Sequence, residues 1–136
     1  EATQKQYGLG INGSIDVTAF IDDMAAAYRW ADLVVCRSGA LTVSELMATG
    51  TASILVPLPY AIDDHQTQNA KILSDSGAGC LLRQDASLAS NLSALLRELM
   101  ATPQRLKTMR ENASGLAMPN AAVAVADIIK EVSLAH

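Results

Sequence analysis

The stretch LVVCRSGALTVSE, Leu33 to Glu45, decides how the rest of the chain is to be read. Its first four residues are all apolar with no polar alternation, the pattern of a parallel strand covered on both faces. Small residues follow, Ser38-Gly39-Ala40, and apolar positions at helical spacing begin at Leu41. A covered strand passing through a small-residue turn into a helix is the repeating unit of a doubly wound α/β domain.

The same alternation continues to either side. Apolar, β-branched runs at Val17 to Ile21, Leu33 to Cys36, Ser53 to Leu58 and Gly79 to Leu82 predict four parallel strands. Helical spacing predicts helices over Asp23 to Trp30, Leu41 to Ala48, Gln66 to Asp75, Leu88 to Ala101, Gln104 to Ala113 and Ala121 to Val132. Gly50, Gly77 and Gly79 stand where helices should stop, and Pro103 and Pro119 where the last two should begin. No strand separates the three helices from Leu88 onward, so the expected fold is a doubly wound parallel sheet with a helical C-terminal layer. The opening, Glu1 to Ser14, is polar and supplies no first strand, and the chain is therefore expected to be a piece of something longer.

Composition narrows the class. The 136 residues suit one domain, and 50% hydrophobic, 18% charged and 4% aromatic residues exclude a disordered chain or a coiled coil. The formal charge is −4 and no Lys/Arg cluster interleaves with aromatics, so no nucleic-acid partner is expected. No apolar run approaches the roughly 20 residues that span a bilayer, and no basic-then-apolar leader opens the chain, which places it in the cytoplasm. Cys36 and Cys80 lie inside apolar runs and read as buried free thiols; without CxxC or Cys/His spacing, neither a metal nor a cofactor is expected. No GxGxxG, P-loop or GxSxG motif occurs.

In open α/β sheets ligands bind beyond the carboxyl ends of the strands. Ser38, Gly39 and Ala40 are small enough to admit a ligand to the free amides that open the next helix, where the helix dipole also favours an anion such as a diphosphate. Glu45, about a turn further on, is an acceptor-only group suited to a pair of ribose hydroxyls. The same residues fit a capping box, Thr42-x-x-Glu45, in which Glu45 only satisfies a backbone N–H. Arg37 could approach an anion or pair with a nearby acid. Asp23 reads as a helix N-cap, as does Asp63 or Asp64. Gln66 and Asn69, three apart, share one side of their helix, either as a solvated first turn or as amides for sugar hydroxyls. No partner group fixed by spacing makes His65 a general base.

The run FIDDMAAAYRWADLVVCRSGALTVSE, Phe20 to Glu45, together with DDHQTQNA, Asp63 to Ala70, closely resembles the MurG family. That resemblance implies an incomplete, Rossmann-like C-terminal domain of GT-B architecture over residues 1–136, with an N-terminal acceptor domain absent. It implies the donor half of an inverting transferase that moves N-acetylglucosamine from UDP-N-acetylglucosamine to lipid-linked muramyl-pentapeptide in peptidoglycan synthesis, and through it a part in cell shape and division. Acceptor and membrane would be met only through the missing domain, on the cytoplasmic face of the plasma membrane, and this part alone would be inactive. Carried over by position, Ile21 offers its backbone to uracil with Phe20 and Met24 nearby. Ser38, Ala40, Leu41 and Thr42 form the diphosphate turn, Glu45 holds the ribose, and Gln66 and Asn69 touch the sugar with His65 adjacent. Two other readings remain open: a nucleotide-sugar-binding module that needs a separate acceptor subunit, and another GT-B enzyme such as an epimerase.

Overall fold

A computed structural model describes residues 15–59 and 65–117. Within them the order is α1 (Met24–Trp30), β1 (Val34–Cys36), α2 (Ala40–Thr49), β2 (Ser53–Leu55), α3 (His65–Asp75), β3 (Gly79–Leu81), α4 (Leu88–Ala101) and α5 (Pro103–Leu116). The three strands form one parallel sheet in the order β1-β2-β3, with Val35 opposite Ile54 and Ile54 opposite Cys80.

Both faces of this sheet are covered, as the unbroken apolarity of the strands requires. Leu55 points into a core made with Tyr28 of α1, Val43 and Leu46 of α2, and Ala70 and Leu73 of α3. Its neighbour Ile54 points the other way, to Leu99 of α4 and Met109 of α5. Helix α5 serves both cores, since Ala113 belongs to the first and Met109 to the second. It also passes the loops that enter β2 and β3. Asn112 donates to the Gly77 carbonyl at 3.0 Å, and a side chain on Gly50 would strike Ser114. Gly50 and Gly77 both hold positive φ, 62° and 72°, so the left-handed turns that end α2 and α3 favour glycine.

Several element bounds shift by a residue, and some of the sequence expectations change by more. Val17 to Ile21 is not a strand: Phe20 and Ile21 are exposed, so β-branched character there meets no covered sheet face, and none of the three described strands pairs with the run. The third apolar run stops as a strand at Leu55 rather than Leu58. Val56 still donates to the Cys36 carbonyl at 2.9 Å, but Pro57 follows and has no N–H to give. Helix α5 extends past Ala113 to Leu116. The start of α2 also changes, as taken up below. Glu1 to Ser14, the Asp63 or Asp64 cap, Pro119 and the helix at Ala121 to Val132 lie outside the described residues. Among those described, no helix is long and apolar enough to cross a membrane.

Candidate functional site

The loops after β1 and β2 leave the carboxyl edge of the sheet, and α1, running back toward β1, brings its own start to the same edge. Asp23 caps α1 as expected, its Oδ1 accepting from the Ala26 amide at 2.9 Å. Before it, Phe20 and Ile21 are exposed and Met24 is 39% exposed. Three apolar side chains therefore stand in the open where the sequence reading puts a base.

Helix α2 begins one residue earlier than predicted, at Ala40, with Gly39 as N-cap and no side-chain capping bond. The Val43 amide is the first to find the helix ladder, donating to the Gly39 carbonyl at 3.0 Å. Amides of Ala40, Leu41 and Thr42 thus form the open first turn. This removes the capping box: Thr42 is already inside the helix, so Thr42 and Glu45 stand a full turn past the end they would have capped. Leu41 is 74% exposed, leaving the helix end uncovered by its own side chains.

What holds that turn in place is a network with the β2–α3 connection. Ser38 is fully buried, and its hydroxyl donates to the Gln66 carbonyl at 2.6 Å. Asn69 Nδ2 donates to the Ser38 carbonyl at 3.0 Å, while Gln66 Oε1 accepts from the Leu58 amide at 2.9 Å. The two side chains go to different loops: that of Gln66 meets Leu58 in the β2–α3 connection, and that of Asn69 meets Ser38 in the β1–α2 turn. Arg37 makes its described contacts with backbone. Its guanidinium donates to the carbonyls of Val56 and Pro57 at 3.2 and 3.4 Å, closing the end of β2 that proline leaves without a ladder partner. His65 is exposed at the first position of α3. A cavity of about 590 Å³ opens between the ends of β2 and β3, walled by Pro57, Leu58 and Pro59 with Thr67 and Arg83 among its polar groups.

Glu45 is half-buried on the side of α2 that meets α1. Burial first, then the Glu45 charge, pushes the Tyr28 phenol above its ordinary pKa. Two threonines tie the same helices through their backbones. Thr49 Oγ1 donates to the Glu45 carbonyl (2.7 Å) and meets Thr51 Oγ1 (2.7 Å), which donates to the Tyr28 carbonyl (3.0 Å). Sequence reasoning missed Tyr28, Thr49 and Thr51. The available signal was a tyrosine as the one large residue on the inner side of an alanine-rich helix, because a buried phenol needs a polar partner.

The thiols of Cys36 and Cys80 are free and half-buried, and burial pushes Cys36 up to about 11.

Residues 1–132 match the family model described as Glycosyltransferase family 28 C-terminal domain. The chain is 57% identical over 117 residues to the UDP-N-acetylglucosamine--N-acetylmuramyl-(pentapeptide) pyrophosphoryl-undecaprenol N-acetylglucosamine transferase of Cellvibrio japonicus, covering 86% of this chain and 32% of that protein. It is 52% identical over 134 residues to the transferase of the same name from Stutzerimonas stutzeri, covering 98% and 37%. The crystal structure of Acinetobacter baumannii MurG superposes with a TM-score of 0.85 at 45% identity, over 96% of this chain and 39% of that one. The chain therefore spans about a third of the length of the curated relatives it matches. The expected fold, an open parallel sheet of the Rossmann-like, GT-B C-terminal kind, is the one found.

Proposed function

We propose, because the chain belongs to the family of glycosyltransferase family 28 C-terminal domains, that it is the donor-binding part of a UDP-N-acetylglucosamine transferase of peptidoglycan synthesis. The observation that carries this reading is the open N-terminus of α2: an N-cap glycine without a capping side chain, followed by three unladdered amides at the carboxyl edge of the sheet. Such a turn complements a diphosphate by both hydrogen bonding and dipole.

The residues then take roles in order along the donor. Ile21 presents its backbone to the uracil, with Phe20 and Met24 beside the ring. Ser38 holds the turn, Ala40, Leu41 and Thr42 give their amides to the diphosphate, and Glu45 accepts from the ribose hydroxyls. Gln66 Oε1 and Asn69 Nδ2 are engaged within the chain, so the opposite ends of these amides, Nε2 and Oδ1, are the ones offered to the sugar, with His65 adjacent. In the inverting reaction an acceptor hydroxyl attacks the anomeric carbon, the bond from that carbon to the diphosphate oxygen breaks, and UDP leaves with the electron pair. The helix amides stabilise the charge that develops on UDP; in sites of this kind one good donor is worth about 2.7–4 kcal/mol in the transition state. A lipid-linked muramyl-pentapeptide acceptor and the cytoplasmic membrane face would be met through the further two thirds that the relatives carry, which places the whole protein at the cell-wall step that sustains shape and division.

Calorimetric titration of UDP-N-acetylglucosamine into the full-length protein carrying this segment tests the reading. Glu45→Ala should weaken binding at least tenfold with the melting temperature unchanged within about 2 °C, the loss expected for a charge-assisted hydrogen bond. Unchanged affinity in a folded variant would refute the role given to Glu45.

A further inference from the structure

The cavity of about 590 Å³ between the ends of β2 and β3 takes no part in the donor contacts given above. Its wall from Pro57 to Pro59 offers no free amide: the two prolines have no N–H, and the Leu58 amide donates to Gln66 Oε1 at 2.9 Å. Thr67 of α3 and the chain leaving β3, Arg83 to Asp85, supply its polar side chains. Elsewhere at this edge such groups are spent within the chain, as those of Arg37, Ser38 and Asn69 are. In the cavity they divide by kind. The Asp85 carboxylate already accepts from the Ser87 amide at 2.8 Å, ahead of α4. Among the described residues nothing engages the Arg83 guanidinium, the Thr67 hydroxyl or the Gln84 amide, whereas Arg105 and Arg110 are paired with Glu98 and Asp32. The groups left over can all donate, and one of them is a cation.

We propose that this cavity receives a peptide carboxylate, the free C-terminus of the acceptor's pentapeptide, with Arg83 as its principal ligand and Thr67 and Gln84 beside it. This rests on the reading of the chain as part of a transferase to a muramyl-pentapeptide acceptor. A guanidinium presents a planar fork that matches the two oxygens of a carboxylate. Arg83 and Asp85 together leave the cavity close to neutral, which suits a singly charged carboxylate better than a phosphate dianion. Pro57, Leu58 and Pro59 give the terminal residue an apolar surface to rest on. Thr67 directly follows Gln66, whose free amide end is offered to the transferred sugar, so cavity and sugar lie on neighbouring sides of the first turn of α3. Five extended residues reach at most about 17 Å, enough to pass the short Pro57–Pro59 wall from that sugar.

The test measures transfer by the full-length protein carrying this segment to two muramyl-pentapeptide acceptors on a short lipid, one ending in a free carboxylate and one in a C-terminal amide. The amide should raise the acceptor KM about threefold to tenfold at unchanged kcat. Arg83→Gln should raise the KM of the free acid by a similar factor and that of the amide less than twofold, leaving the KM of UDP-N-acetylglucosamine where it was. Because Arg83 makes no described bond, this variant should melt within about 2 °C of its parent. No preference for the free acid, or an equal rise for both acceptors in Arg83→Gln, would overturn the carboxylate assignment and leave the transferase reading intact. Transfer to neither acceptor would refute that reading and the assignment with it. Inhibition by inorganic phosphate that Arg83→Gln relieves, without any discrimination between the acceptors, would give the cavity to a free anion and also overturn the proposal.

Discussion

At Gly79 a methyl group would meet Ser53 Oγ at 3.0 Å, the Ser53 carbonyl at 3.1 Å and Leu73 Cβ at 3.3 Å. Two of these are backbone or core atoms that cannot swing aside. Gly79→Ala should therefore cost about 1–3 kcal/mol, read as a lower urea midpoint with an unchanged slope. Adding Ser53→Ala should restore part of it. That hydroxyl is one of the close neighbours and, among the described residues, the one buried side-chain polar atom without a partner. The sequence shows Gly79 as a helix stop, which describes its place along the chain but not the serine it faces across two strands. Glu45 carries the same lesson. Its carboxylate can be assigned to a ribose or a cap from spacing, while the effect of its charge on the phenol of Tyr28, seventeen positions back, depends on how two helices lie together.

Among the described helices, α1 is the shortest and depends most on its end. It has seven residues, and the Asp23 side chain satisfies one of its free amides. Asp23→Ala should lower stability by about 1 kcal/mol, measured by thermal unfolding, and should loosen the Phe20–Met24 loop along with it. This cap was legible because an acid directly before a helical pattern has a local meaning. The start of α2 was misread for the same local reason. Thr42-x-x-Glu45 is a good capping pattern, and nothing in it records that the chain has already turned helical at Ala40 behind a glycine. Val17 to Ile21 failed in the opposite way, since β-branched residues describe a strand only where another strand offers a ladder. The three strands that do form were readable from continuous apolarity, because that pattern reflects burial on both faces rather than a particular neighbour.

For the whole molecule, the two cores and the thiols give a pH dependence with a definite sign. Burial raises Cys36 from 9.0 to about 11, so the folded chain holds this proton more tightly than the unfolded one. Unfolding releases the proton between those two values, and stability that is complete below pH 9 declines as pH rises toward 11. Cys80 and Tyr28, both pushed up by burial, act in the same direction. Urea midpoints measured from pH 8 to 11 should fall, and the fall should be shallower in Cys36→Ala; identical slopes would show that the thiol does not contribute.

Position 39 sets thermal robustness against ligand capture. Gly39 has φ −62° and ψ 153°, angles open to any residue, and a Cβ there would have no heavy atom within 4 Å. Nothing steric keeps it glycine. An aspartate would fit and would cap α2, adding a few tenths of a kcal/mol, but it would also set a negative charge at the mouth of the proposed anion site. Gly39→Asp should melt slightly higher and bind UDP-N-acetylglucosamine far more weakly, a pair of shifts seen together by differential scanning fluorimetry and calorimetry. A screen rewarding heat resistance alone would drift toward that variant, whereas one that also selects for the proposed donor binding would keep the helix end bare.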